Sequence, residues 1–307
     1  MTTGTTTAAP TLRRERRRTG ETLVTIGLGL AALVSVLTTV GIVIALLVPS
    51  VEFFRVINPI DFFTGTEWTP TFKDGSFGVL PLLVGTLNVT FWACLVGLPL
   101  GLATAIYLSE YASARTRNIL KPILEVLAGI PTVVFGFFAL TFMTPLLRSI
   151  GLDVEIFNVL SVGLVMGLML IPTVASLSED AMSAVPHSLR EGAYALGSRK
   201  RLVAVRVVVP AAMSGIIASF VLAASRAIGE TMIVAIAGGL QPGMSVNPLR
   251  GLETMTTFIA STGQGDIATG TIAYKTIFAV GLTLFVITLV LNMVAIRLVR
   301  RFREVYE

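Results

Sequence analysis

The chain has 307 residues, a formal net charge of +5, 54% hydrophobic and 13% charged residues, and a mean hydropathy of +0.84. Soluble domains carry about 25% charged residues, so this composition excludes an ordinary soluble, disordered or collagen-like chain and leaves a polytopic membrane protein built on apolar runs of about 20 residues. One cysteine, Cys94, excludes an intramolecular disulfide or thiolate metal cluster, and one histidine, His187, excludes paired-histidine zinc chemistry.

Taken in chain order, residues 1–22 form a tail that is Thr-rich at first, expected to be disordered, and then basic through Arg13, Arg14, Arg16, Arg17 and Arg18. The first apolar run, 24–48, is longer than the 7–15 residues of a cleaved signal segment. It reads as an uncleaved membrane helix over 23–48. Residues 49–78 follow as an outer loop containing Phe53, Phe54, Phe62, Phe63, Trp68, Phe72 and Phe77. Two readings are open for them: an interfacial aromatic belt, or a docking surface for an external partner. Further spans are expected near 80–107, 119–147, 159–177, 211–239 and 271–299. They give an all-α fold of six transmembrane helices, with the transport domain over 79–300 and a short tail at 301–307.

Orientation follows from lysine and arginine placement. With the N-terminus inside, the cytoplasmic segments hold five in the tail, three at Arg115, Arg117 and Lys121, five between Arg190 and Arg206, and four after Ile296. The outer loops hold four, namely Arg55, Lys73, Arg148 and Arg250. Both termini are expected in the cytoplasm. The basic pI of about 9.7 is then a consequence of topology and requires no nucleic acid.

The cytoplasmic loop 178–210 is the most informative stretch. Ser188 and Glu191 have the S-x-x-E spacing of a capping box. Leu189, Ala193 and Leu196 recur at i, i+4 and i+7, and Gly197 stands where a left-handed C-terminal residue is wanted. The pattern predicts a helix of about eight residues, about 12 Å long. Glu191, Gly192 and Ala193, then Gly197 after three residues and Val207-x-Val209-Pro210 after nine more, resemble the EAA loop of ABC importer permeases. The resemblance implies that this helix docks into a groove on a separate ATPase subunit, with the apolar stripe as its docking face. Gly192 departs from the family's alanine, at up to about 1 kcal/mol of helix propensity. No lysine follows a glycine anywhere in the chain, so a Walker A loop is absent and any ATP-driven motor must be another polypeptide.

The fifth run carries Ser225, Arg226, Glu230 and Thr231 in otherwise apolar sequence. A charge at mid-membrane costs roughly 2.5–3.5 kcal/mol on insertion scales and faces a cavity or a partner. Arg226 and Glu230 are i, i+4 and can pair. Two readings are open: a structural ion pair that lets both be buried, or an oxyanion path in which the guanidinium fork binds the cargo and Glu230 holds or releases it. Lys275 reads as snorkelling to the interface.

The string Arg226-Ala227-Ile228-Gly229-Glu230-Thr231-Met232 resembles the signature of phosphate importer permeases of the PstC type. Trp68-x-Pro70, Gly85-Thr86-Leu87, the run 105–112, Leu127–Pro131 and 133–137 agree with it, whereas Thr132 departs from the family's serine. The resemblance implies a type I importer for inorganic phosphate in a bacterial inner membrane. It also implies a second, PstA-type permease, an ATPase dimer carrying ATP and Mg, and an extracytoplasmic phosphate-binding protein. Ser225, Arg226, Glu230 and Thr231 would line the path, and Ser188, Leu189, Glu191, Gly192, Ala193, Leu196 and Gly197 would couple to the ATPase. The chain itself is expected to be non-catalytic, with no cofactor or metal. Other readings are a permease for sulfate, molybdate or phosphonate, an ion-coupled secondary carrier, and an intramembrane enzyme, for which His187 is misplaced.

Overall fold

A computed structural model describes residues 19–72, 75–265 and 267–301. The expected disorder of the N-terminal tail, the terminal tail 302–307 and Lys73 fall outside the described residues. Among the described residues the structure is helical, apart from an isolated antiparallel bridge between Trp68 and Phe77. The chain divides after Val48 into two units. The first, as described, is the body of helix α1 (Thr19–Phe54), whose end from Pro49 onward belongs to the second unit. Its Leu23, Val24, Leu28, Leu37 and Ile44 side chains are all exposed. A helix apolar on every side belongs in hydrocarbon.

The second unit opens with α2 (Pro59–Thr64), started by Pro59 and by the Asn58 side chain, which accepts from the Ile60 amide at 3.0 Å. The aromatic segment around it is mostly core. Phe53, Phe62 and Trp68 are buried with Leu82, Met255 and Phe258, and the Trp68 and Phe258 rings meet edge-to-face at 4.9 Å. Only Phe63 and Phe72 are exposed. Neither a belt nor a docking surface therefore describes this loop as a whole, because edge-to-face packing buries its rings against each other.

Helix α3 (Leu80–Ile106) ends in a π turn, Tyr107–Tyr111, and α4 (Ala114–Ala128) follows. Then come α5 (Thr132–Phe138), a π turn at Ala139–Met143 and α6 (Thr144–Ser149), which together make one apolar span over 132–149. The third span expected at 119–147 is thus displaced. Pro131 supplies no amide proton and turns Ile130 away from helical geometry, so the chain breaks there. Before the break, α4 is a separate amphipathic helix with no buried residue, and it places Glu125 outside the span.

Helix α7 (Val159–Ser183) is followed by α8 (His187–Ala195), α9 (Lys200–Val203), a π turn at Ala204–Val208 and α10 (Val209–Ala211). Next are α11 (Met213–Ile228), α12 (Met232–Ala237), α13 (Met255–Gln264) and α14 (Ile272–Arg301). Among the described residues five helices or helix runs are long and apolar enough to cross a membrane, and six if the pair 200–211 and 213–228, bent by 72°, is one span. The fifth run is therefore not the single helix expected at 211–239. It is interrupted at residues 229–231, between α11 and α12.

The centre of the second unit is the α3–α7 pair. Gly97 of α3 meets Gly167 of α7, Gly101 meets Val174, and Gly163 meets Trp92 and Ala93, so small residues on both helices let the backbones approach. A Cβ on Gly97 would lie 2.8 Å from the Gly167 carbonyl oxygen, and one on Gly101 would lie 2.6 Å from the Val174 Cβ. Val89, Ala93, Met166, Leu170, Ala223 and Val234 complete this core. At the other end of α7, Asn158, Thr144 and Ser161 share buried hydrogen bonds of 2.7–3.1 Å.

Candidate functional site

Two places carry groups that the fold of an apolar bundle does not by itself require. The first is the break between α11 and α12. Arg226 lies in the last turn of α11 and is exposed, and its Nη1 donates to Thr173 Oγ1 at 3.4 Å, near the middle of α7. Glu230 lies beyond the end of α11 and is 8% exposed. Its Oε1 accepts from the amides of Met232 at 3.1 Å and Ile233 at 3.3 Å, closing the first turn of α12. The i, i+4 pairing expected of Arg226 and Glu230 requires continuous helix. The chain leaves the helix at Gly229, and among the described residues Arg226 forms no ion pair.

The other two residues of this group are anchored within the fold. Ser225 Oγ donates to Asn292 Oδ1 of α14 at 3.0 Å, and Thr231 Oγ1 reaches the Gly229 carbonyl at 3.5 Å. Thr256 of α13 donates to the Glu230 carbonyl at 2.8 Å. Glu253, which sequence reasoning passed over, is 6% exposed just before α13, and its carboxylate has no hydrogen bond among the described residues. The backbone there is held against α3. Gly85 leaves no room for a Cβ beside the Glu253 carbonyl, and Thr86 Oγ1 accepts from the Met255 amide at 3.0 Å. Lys275 does not simply reach for solvent, since its Nζ is 2.7 Å from Glu52 Oε2.

The second place is α8. It starts two residues earlier than the capping-box pattern predicts, after Pro186, and no side chain caps it, so Ser188 and Glu191 do not form the box. Proline at that point already sets an extended backbone entering the helix. The far end follows expectation. Gly197 has φ +78°, and the Gly197 and Ser198 amides donate to the Tyr194 and Ala193 carbonyls at 2.8 and 3.1 Å.

The apolar stripe divides. Leu189 and Ala193 are half-buried against Met182, Val185, Val203 and Val208 of the same chain, and only Leu196, 88% exposed, points outward. The outward face of α8 therefore comprises Ser188, Glu191, Gly192, Tyr194, Ala195 and Leu196. Amphipathic spacing identified a buried face correctly but not what covers it. His187, the first residue of the helix, is exposed.

Charges that the sequence pattern did not single out hold α8 and α4 to the bundle. Arg190 bonds Glu110 in the π turn after α3, with Nη2 to Oε1 at 3.1 Å, and also the Met182 and Val185 carbonyls. Glu179 of α7 is fully buried and is bonded by Arg117 and Lys121 of α4, the lysine at 2.9 Å. The Lys121 ammonium is held above its ordinary pKa, chiefly by its hydrogen bond to Glu179 and then by that to Asp180. Arg117 and Lys121 stand at i, i+4 on one face of α4, a signal legible only once their carboxylate partner is known.

Comparison with known proteins agrees with this architecture. A probable ABC transporter permease protein of Bacillus subtilis, YqgH, is 36% identical over 259 residues, covering 84% of each chain. The phosphate transport system permease protein PstC 1 of Mycobacterium tuberculosis is 34% identical, covering 89% of this chain and 91% of that one. Among solved structures, a bacterial alginate ABC transporter has a TM-score of 0.63 at 18% identity, over 93% of this chain and 98% of that one. A MetNI methionine ABC transporter in an inward-facing conformation has a TM-score of 0.55 at 18% identity, over 74% of this chain and 95% of that one. These likenesses establish an all-helical type I ABC importer permease fold. Residues 97–304, which include both places described above, match the model of the binding-protein-dependent transport system inner membrane component, and the chain belongs to that family.

Proposed function

We propose that this chain is the PstC-type permease subunit of an ATP-driven importer for inorganic phosphate in a bacterial inner membrane. It pairs with a second, PstA-type permease and two copies of an ATPase that hold the ATP and Mg. It receives phosphate from an extracytoplasmic binding protein and carries out no covalent chemistry itself. Both termini and α8 face the cytoplasm, in keeping with the seventeen lysines and arginines on that side against four outside.

The observation that carries the anionic cargo is Arg226. An exposed guanidinium bonded to Thr173 near the middle of α7, with no ion-pair partner among the described residues, is a costly feature in a membrane domain. Its rigid fork fits a tetrahedral oxyanion. Glu230 keeps the α12 end in place, and Ser225 ties α11 to α14. Relatives named as phosphate transport permeases favour phosphate over other oxyanions. At the ATPase, the outward face of α8, with Tyr194 and Leu196 as its largest side chains, replaces the Leu189–Ala193 face in the docking role.

The test is uptake by the complete transporter reconstituted in vesicles with its binding protein. Labelled phosphate should accumulate only with ATP, persist when a protonophore collapses the gradient, and withstand competition by excess sulfate. Uptake that needs the gradient and not ATP overturns the importer reading. Competition by sulfate at equal concentration overturns the phosphate assignment.

A further inference from the structure

Arg190 immediately precedes Glu191 in α8, yet its side chain turns away from the outward face. Its side chain is 12% exposed and that of Glu110 is 5% exposed. Nη1 donates to the Val185 carbonyl at 2.6 Å, and Nη2 donates to the Met182 carbonyl at 2.8 Å and to Glu110 Oε1 at 3.1 Å. Nε donates to the same carboxylate oxygen at 3.3 Å. Met182 lies in the last turn of α7 and Val185 just past its C-cap, Ala184, where a cation is favoured. Glu110 lies in the π turn that ends α3, where Ser109 Oγ adds a bond to Oε1 at 3.2 Å. One guanidinium on α8 thus grips the ends of both helices of the glycine-packed pair.

We propose that Arg190 is the positioning residue that makes α8 move as one body with α3 and α7, passing ATPase movement to the transport bundle. Among the described residues α8 otherwise packs on the bundle through the apolar side chains of Leu189 and Ala193, and such contacts are non-directional and allow sliding. The Arg190 bonds are directional, charge-assisted and largely withdrawn from water, so α8 cannot shift without leaving a buried carboxylate unpaired. The second ion cluster, at Glu179, joins α4 to α7 and holds no residue of α8. The transmission role therefore falls to Arg190 and Glu110. This inference rests on the reading that α8 docks on the ATPase.

The experiment uses the complete transporter in vesicles and measures inorganic phosphate imported per ATP hydrolysed. R190Q should retain the ATPase subunit on purification and basal hydrolysis. Its transport per ATP should fall by about fivefold or more. R190K should fall between R190Q and the parent, because an ammonium cannot span three acceptors in the fork geometry. Glu110→Gln, which keeps an acceptor oxygen but removes the charge, should show a smaller loss in the same ratio. It carries the test if R190Q does not accumulate. An unchanged ratio in R190Q, or in Glu110→Gln where R190Q is not recovered, overturns the inference. Leu196→Asp on the outward face separates the two claims. Full retention of the ATPase by that variant overturns the docking reading on which the inference rests, whereas ATPase loss there with an unchanged ratio in R190Q overturns the Arg190 role alone.

Discussion

Arg226 and Glu230 are four residues apart in sequence and do different work. Glu230 accepts two backbone amides at the start of α12, a role that its short distance from the Gly229 break allows. Arg226 has a long bond to Thr173 and is exposed. Because they share no partner, their substitutions should add. Glu230→Ala should lower permease stability by about 1–2 kcal/mol through loss of the cap. Arg226→Gln should change stability little, and the double variant should depart from the sum by less than about 0.5 kcal/mol. Thermal unfolding of the purified permease in detergent checks this. A double variant much more stable than Glu230→Ala alone would show a buried ion pair and contradict the separation. The residue types were legible in the sequence as out-of-place charges. Their geometry was not, because i, i+4 spacing says nothing about a helix that stops between the two positions.

For the elements, α8 shows how far periodicity reaches. The end at Gly197 was written in the sequence as a left-handed C-terminal residue, and its φ of +78° follows. The start was displaced by Pro186, whose fixed backbone outweighs the Ser188–Glu191 pattern. The stripe was real, but hydrophobic spacing cannot tell a groove on another protein from the underside of the same chain. Leu189→Asp should therefore place a charge among Met182, Val185 and Val208. The expected outcome is loss of folded permease from the membrane, measured by abundance and protease resistance. Normal abundance with selective loss of the ATPase would return Leu189 to the docking face. Similar reasoning applies to 119–147. Its hydropathy was legible, while the pairing of Arg117 and Lys121 with Glu179, which sets α4 apart from the span, depends on residues about sixty positions away.

Across the whole molecule, long apolar runs made the membrane class legible and located α1, α3, α7 and α14 closely, because bilayer thickness fixes span length. The α3–α7 contact was not read from the sequence, because the glycines at 97, 101, 163 and 167 do not by themselves name the residues they pack against. Topology gives a further prediction. In a Cys94→Ala background, Thr71→Cys should react with a membrane-impermeant thiol reagent from outside, and Ala184→Cys only from the cytoplasm. Three spans, α3, residues 132–149 and α7, separate the two positions. Labelling of both from one face would contradict that odd number.

The central claim is that Arg226 meets the anion during transport. Its most direct test is phosphate uptake by Arg226→Gln and Arg226→Lys permeases in cells lacking other phosphate carriers, normalised to permease abundance in the membrane. The account predicts normal abundance for both. It also predicts near-complete loss of uptake for Arg226→Gln and clear impairment for Arg226→Lys, since a point-charge ammonium does not reproduce the guanidinium fork. Near-normal uptake by Arg226→Gln would contradict it.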